Sequence, residues 1–171
     1  MQTRVFENEF NGVQYVADVI CRMVQNHGEN ASARDIYEEL PPFVLGLTTG
    51  RTPLGLYREL VQRYQAGEIS FKNVAVYSLD EFYPMCGTDH QSRNYRIHDQ
   101  FLKHIDILPE NVHIPDGTIS EQEVSEYCAA YDQSIRKIDL MIIGFGEQGQ
   151  IGFNEQGSYA KSPTRLVELS H

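Results

Sequence analysis

The sequence predicts an α/β protein: a three-layer, Rossmann-like parallel sheet with helices on both faces. Three observations carry this. The stretches 43–47 and 74–77 are short, mostly apolar runs without polar alternation, the pattern of strands covered on both sides, and 138–143 reads as a third strand. The segments between them place apolar residues three and four apart, the stripe of an amphipathic helix. Strands alternating with helices imply right-handed crossovers and parallel pairing.

In chain order, Phe10, Val13, Val16, Ala17, Ile20, Met23 and Val24 form the first helical stripe, and His27-Gly28-Glu29-Asn30 supplies stop signals. The segment up to Leu40 reads as a short connection or helix, closed by Pro41 and Pro42, which remove two amide donors. Strand 43–47 leads through a polar loop into a helix marked by Leu54, Leu56, Tyr57, Leu60, Val61 and Tyr64, ending near Ala66-Gly67. Strand 74–77 runs into Ser78-Leu79-Asp80-Glu81, and 84–90 is irregular. Ile97, Phe101, Leu102 and Ile105 mark a helix, 112–114 a short strand, and Val124, Tyr127, Cys128, Tyr131 and Ile135 a further helix. The run 138–143 is the clearest strand. No repeat, low-complexity tract or interdomain linker interrupts the pattern.

With 171 residues, 41% hydrophobic and 22% charged, the chain has material for one core and about one domain. No apolar run approaches the about 20 residues that span a bilayer. Charges fill the N-terminal stretch where a secretory signal needs continuous apolar residues, so a cytoplasmic protein is expected. The net charge of −10, from 14 Lys plus Arg against 24 Asp plus Glu, repels a phosphate backbone and argues against nucleic acid as a partner. A small anion needs only a few oriented amides and a cation, which net charge does not forbid. The three cysteines, Cys21, Cys86 and Cys128, form no disulfide framework and read as reduced thiols. Cys86, His90, His98, His104 and His113 share no predictable face, so no metal site is expected.

In an open parallel sheet, ligands bind outside the carboxyl ends of the strands, which directs attention to the segments after Leu47, Tyr77 and Ile143. The first, Thr48-Thr49-Gly50-Arg51-Thr52-Pro53, combines a flexible glycine, three hydroxyls and a proline suited to open a helix behind a threonine cap. It reads either as an anion site at a helix N-terminus or as a capped helix that binds nothing. In the second, Asp80 and Glu81 are adjacent at a strand end, where side chains alternate and only one faces the crevice. That one is a candidate general base; the other reading is a surface acidic pair. The third, Gly144-Phe-Gly146-Glu-Gln-Gly149, has the spacing of a dinucleotide fingerprint, with Glu168 at the distance of a ribose-binding acid. It follows the last strand and leads into no apolar helix, so a dinucleotide is not expected.

At these loops the sequence resembles the glucosamine-6-phosphate deaminase/isomerase family, related to the 6-phosphogluconolactonases. The resemblance extends over nearly the whole chain. It is carried by Leu45-Gly-Leu-Thr-Thr-Gly-Arg-Thr-Pro53, Gly67-Glu-Ile-Ser-Phe-Lys72, Ser78-Leu-Asp-Glu-Phe82 and Gly144-Phe-Gly-Glu-Gln-Gly-Gln-Ile-Gly-Phe-Asn-Glu155. It implies conversion of glucosamine 6-phosphate to fructose 6-phosphate and ammonia, without a cofactor. By the same resemblance Thr49, Gly50, Arg51 and Thr52 match the phosphate loop. Asp80 matches the carboxylate that moves a proton between C1 and C2, Glu81 matches its structural neighbour, and Glu155 matches an acid supporting a ring-opening histidine.

Two departures qualify what the resemblance implies. Where the family has Asp-Gly-His, this chain has Gln148-Gly149-Gln150, and an amide cannot shuttle protons near neutral pH. Loss of a general acid–base residue costs about 10²- to 10⁴-fold in its step. The chain also stops at His171, where family members continue with further sheet and helix; the expectation is a single domain over 1–171 lacking that C-terminal part. A shortened sheet leaves an edge that calls for a partner, so a homo-oligomer is among the expectations. Ser158 and Arg165 match positions of allosteric sugar-phosphate binding in regulated members, but Val167 stands where a lysine is expected, so regulation by that route is not expected. The expected partner is a small-molecule sugar phosphate, with weak or altered deaminase activity; the alternative is a non-catalytic sugar-phosphate-binding protein.

Overall fold

A computed structural model describes residues 2–32, 41–135 and 137–169. Its elements run α1 (Glu9–Ser32), β1 (Phe43–Leu47), α2 (Leu54–Gln65), β2 (Val74–Ser78), α3 (Arg93–Gln100), β3 (Val112–His113), α4 (Val124–Ser134) and β4 (Leu140–Met141), with single 3₁₀ turns at Leu102–His104 and Pro109–Asn111. The strands form one parallel sheet in the order β3-β2-β1-β4.

Side-chain alternation along β1 and β2 sorts the helices into two layers. Phe43, Leu45 and Leu47 of β1 and Val74 and Val76 of β2 enter one core with Ala17 and Ile20 of α1, Leu56, Tyr57 and Leu60 of α2, and Ile97 of α3. Tyr57 stacks on Phe101, and Phe71 meets Phe101 edge-on, with centroids 5.0 and 5.4 Å apart. Tyr77 points the other way. Its ring packs against Tyr131 of α4, and its hydroxyl donates to the Ser134 carbonyl at 3.0 Å. The expected three layers are therefore present.

Three elements differ from the sequence reading. Helix α1 continues through His27-Gly28 to Ser32. The Gln25 amide donates to the Glu68 carbonyl at 2.9 Å, and the His27 ring bonds the Pro41 carbonyl at 2.8 Å and meets Phe43 edge-on. Such docking outweighs the about 1 kcal/mol that a helical glycine costs. The stretch expected to contain a connection or helix before Leu40 lies, at 33–40, outside the described residues. The helix read over Ile97 to Ile105 ends as α-helix at Gln100, where Phe101 (φ −142°, ψ −63°) leaves helical geometry and a 3₁₀ turn follows.

The run 138–143, read as the clearest strand, pairs only at Leu140 and Met141 with Leu45 and Gly46. It is an edge: β1 lies on one side, and no strand among the described residues lies on the other. Asp139 anchors its start, with its amide donating to the Val44 carbonyl at 2.9 Å and its carboxylate accepting from the Val44 amide at 3.0 Å. No helix of the described residues is long and apolar enough to cross a membrane.

Candidate active site

The loop after β1 rests on the core. The buried Tyr57 hydroxyl donates to the Thr48 carbonyl, and burial pushes its phenol far above the usual range, so it stays protonated as a donor. Gly50 takes φ +124°, a conformation that side chains disfavour, and turns the chain outward. The expected threonine cap does not form. Pro53 occupies the cap position with helical dihedrals, and no side chain caps the helix; Leu54 instead donates to the Arg51 carbonyl at 3.3 Å. The Thr49 hydroxyl is buried with no hydrogen-bond partner.

After β2 the two carboxylates diverge. Glu81 binds the start of α3: Oε1 accepts from the Phe82 and Arg93 amides, each at 2.8 Å, and Oε2 accepts from Ser92 Oγ at 2.8 Å and the Asn94 amide at 2.9 Å. An anion so placed complements the positive end of the helix. Asp80 points elsewhere. Its side chain is 9% exposed, and Oδ1 lies 3.5 Å from Arg93 Nε. Burial pushes the Asp80 carboxyl up, the Arg93 guanidinium pulls it back down and Glu81 adds to the rise; the net shift is upward.

Arg93 is held by two rings, its guanidinium carbon 4.5 Å from the Phe82 centroid and 5.1 Å from that of Phe153. Sequence reasoning missed this residue. Its one usable signal is Ser92, whose hydroxyl accepts from the Tyr95 amide as a helix cap; nothing in the spacing says that the next side chain reaches Asp80.

The glycine run after β4 folds on itself as a turn. Gly146 donates to the Gln150 carbonyl at 2.8 Å, and Gln150 Oε1 accepts from the Gln148 amide at 3.0 Å. A Cβ on Gly146 would stand 2.2 Å from Gln150 Cδ, so the Gln150 amide occupies the space that glycine leaves. Further on, Arg165 Nη2 donates to Ser158 Oγ at 2.8 Å, bringing that pair together.

A cavity of about 920 Å³ opens at the carboxyl ends of β1, β2 and β4, and Thr49, Arg51, Thr52, Asp80, Arg93 and Gln150 all line it. Gly50, Glu81, Gln148 and Glu155 are not among its lining residues. Glu81 borders a neighbouring cavity of about 750 Å³, which also reaches Asp80 and Phe153. Among the described residues, no group of three or more His, Cys, Asp or Glu could hold a metal ion.

Residues 16–153 match the family model described as glucosamine-6-phosphate isomerases/6-phosphogluconolactonase. The chain is 37% identical over 172 residues to the glucosamine-6-phosphate isomerase of Candida albicans, covering 99% of this chain and 64% of that one. It is 44% identical over 130 residues to glucosamine-6-phosphate deaminase 2 of Bacillus subtilis, covering 74% and 51%. Among solved structures it superposes on a monomeric glucosamine-6-phosphate deaminase with a TM-score of 0.86 at 31% identity, covering 99% and 66%. It shares its fold with the 6-phosphogluconolactonase of Leishmania guyanensis, at a TM-score of 0.66 and 20% identity, covering 91% and 64%. The chain thus spans about half to two thirds of the length of these relatives. By the match over residues 16–153, it belongs to the glucosamine-6-phosphate isomerase/6-phosphogluconolactonase family.

Proposed function

We propose that this protein is a sugar-phosphate isomerase-deaminase acting on glucosamine 6-phosphate, with Asp80 as the proton carrier. The observation that carries the reading is that the buried Asp80 carboxylate opens into the same cavity as the loop from Thr49 to Thr52. In this reading the phosphate sits against Thr49, Gly50, Arg51 and Thr52, where the first-turn amides of α2 and the positive end of its dipole favour an anion. The opened sugar then extends toward Asp80.

The chemistry balances without a cofactor. Asp80 takes the proton from C2, next to the C1 aldehyde, and returns it to C1. One proton passes from the amine to O1, leaving an imine at C2. Water adds there and ammonia leaves, giving the ketone of fructose 6-phosphate. A carboxyl whose pKa lies above the ordinary value is better matched to this proton transfer than a solvated one. Glu81 serves as the structural neighbour that fixes α3.

Gln148 and Gln150 stand where the resemblance implies Asp and His, so ring opening falls to Glu155, to water or to the open-chain sugar in solution, and turnover is weak. A second reading, a sugar-phosphate-binding protein without turnover, is favoured by the Gln150 amide, which is folded back onto its own loop. Both readings take a phosphorylated metabolite of the cell interior as ligand, fitting a cytoplasmic protein.

Ammonia release from glucosamine 6-phosphate separates the readings. Turnover abolished by Asp80→Asn is the expected result, and a rate indifferent to that change sinks the role given to Asp80. Gln148→Asp combined with Gln150→His should raise turnover at least about tenfold, since the step regains its acid–base group. Calorimetric binding of fructose 6-phosphate without any ammonia release would establish the binding reading instead.

A further inference from the structure

We propose that Arg93 is the positioning residue of this site: packed against the Phe82–Phe153 ring pair, its guanidinium keeps the Asp80 carboxylate aimed into the cavity. The inference rests on the reading of Asp80 as proton carrier. Asp80 Oδ1 and Arg93 Nε are both buried and make no hydrogen bond, although they lie 3.5 Å apart. The two groups are thus coupled by charge while the Asp80 oxygen stays free to accept a proton.

Ring packing keeps the pair in register. Phe82 and Phe153 contact each other, with centroids 4.9 Å apart, and the guanidinium rests against both, so moving it away gives up both ring contacts. The Arg93 amide is fixed separately by Glu81 Oε1 at 2.8 Å. One residue is therefore held at its backbone by Glu81 and presents its charge to Asp80. This divides the work of the adjacent carboxylates: Glu81 locates Arg93, and Arg93 locates Asp80.

The charged groups around Asp80 decide what loss of Arg93 does. Arg93 faces it from α3 and Glu81 from the adjoining position, while Glu9 of α1 and Arg51 of the first loop border the same cavity. Burial favours the protonated acid and Arg93 opposes it. Removing the guanidinium leaves burial and Glu81 acting together, and the acid titrates at higher pH.

The test is a ¹³C NMR titration of the Asp80 carboxyl in the wild type, Arg93→Gln and Arg93→Lys, alongside the pH profile of kcat/KM and calorimetry with fructose 6-phosphate. In Arg93→Gln the titration midpoint and the acid limb of kcat/KM should both rise by about one pH unit or more. Arg93→Lys should recover most of the shift, and sugar-phosphate affinity should stay within about threefold. Phe82→Leu, which keeps the charge but removes one of the two supporting rings, should give a smaller shift of the same sign and guards against misfolding of Arg93→Gln. An Asp80 titration unmoved in Arg93→Gln overturns the proposal. So does a tenfold loss of sugar-phosphate affinity with that titration unmoved, which would make Arg93 an anion ligand. If the wild type releases no ammonia, the deaminase reading fails while the titration still decides the role of Arg93.

Discussion

Gly152 lies against Asp80 so closely that a Cβ on it would stand 2.7 Å from Oδ2 and equally close to a Leu79 methyl, and its φ of +57° is one that side chains rarely adopt. The loop after β4 thus forms a wall behind the carboxylate at the end of β2. Gly152→Ala should destabilise the protein by about 1–3 kcal/mol through the strained φ and should displace the Asp80 side chain. We expect a lower urea midpoint together with at least tenfold slower turnover. An alanine variant of unchanged rate would show that the wall does not hold the acid.

Glu81 receives four hydrogen bonds, three of them from backbone amides. Glu81→Gln replaces one acceptor oxygen with a donor, so two of these donors lose their partner. The expected cost is about 2–3 kcal/mol, read as a fall in the urea midpoint with an unchanged m-value. Turnover should fall as well, since the start of α3 carries Arg93.

Asp80→Asn should remove activity and yet raise stability at neutral pH. The folded pKa of Asp80 lies above its unfolded value, so between the two the folded state binds the proton that the unfolded state has released. Stability therefore falls as pH rises through that window, and the penalty is complete above the folded pKa. Asparagine carries no such charge. The gain should be full above the folded pKa and shrink toward zero below the unfolded value of about 3.9. Thermal unfolding of both proteins across pH 3–7 measures it, and a gain independent of pH would contradict the assignment.

At the sheet edge, a Cβ on Gly46 would lie 1.9 Å from Met141 Sδ. Gly46→Ala should cost about 1–3 kcal/mol by overpacking the β1–β4 contact. Adding Met141→Ala should recover part of it, because the obstructing atoms belong to that side chain. Denaturant unfolding of the single and double variants gives the coupling. Purely additive effects would mean that β4 does not bear on Gly46.

The sequence by itself determined the class of the fold and the places to look. Apolar runs at 43–47 and 74–77 are strands because nothing polar interrupts them, and helix spacing marks the cover on both faces. The rule that parallel sheets bind ligands at strand ends then selects the loops that line the cavity. Periodicity could not tell that, among the described residues, the strand within 138–143 pairs on one side only and over two residues, since neighbours in a sheet are a long-range property. Nor could it read past Gly28, where α1 continues because its side chains bond to the segments it docks on.

The tertiary structure decided the division of labour at the site. Asp80 and Glu81 are equivalent in sequence, and alternation says only that they diverge. Which one meets Arg93's guanidinium, and which one caps the helix bearing it, depends on where α3 starts in space, thirteen residues further along the chain. Through-space electrostatics and packing set the character of a buried acid, and adjacency along the backbone carries neither.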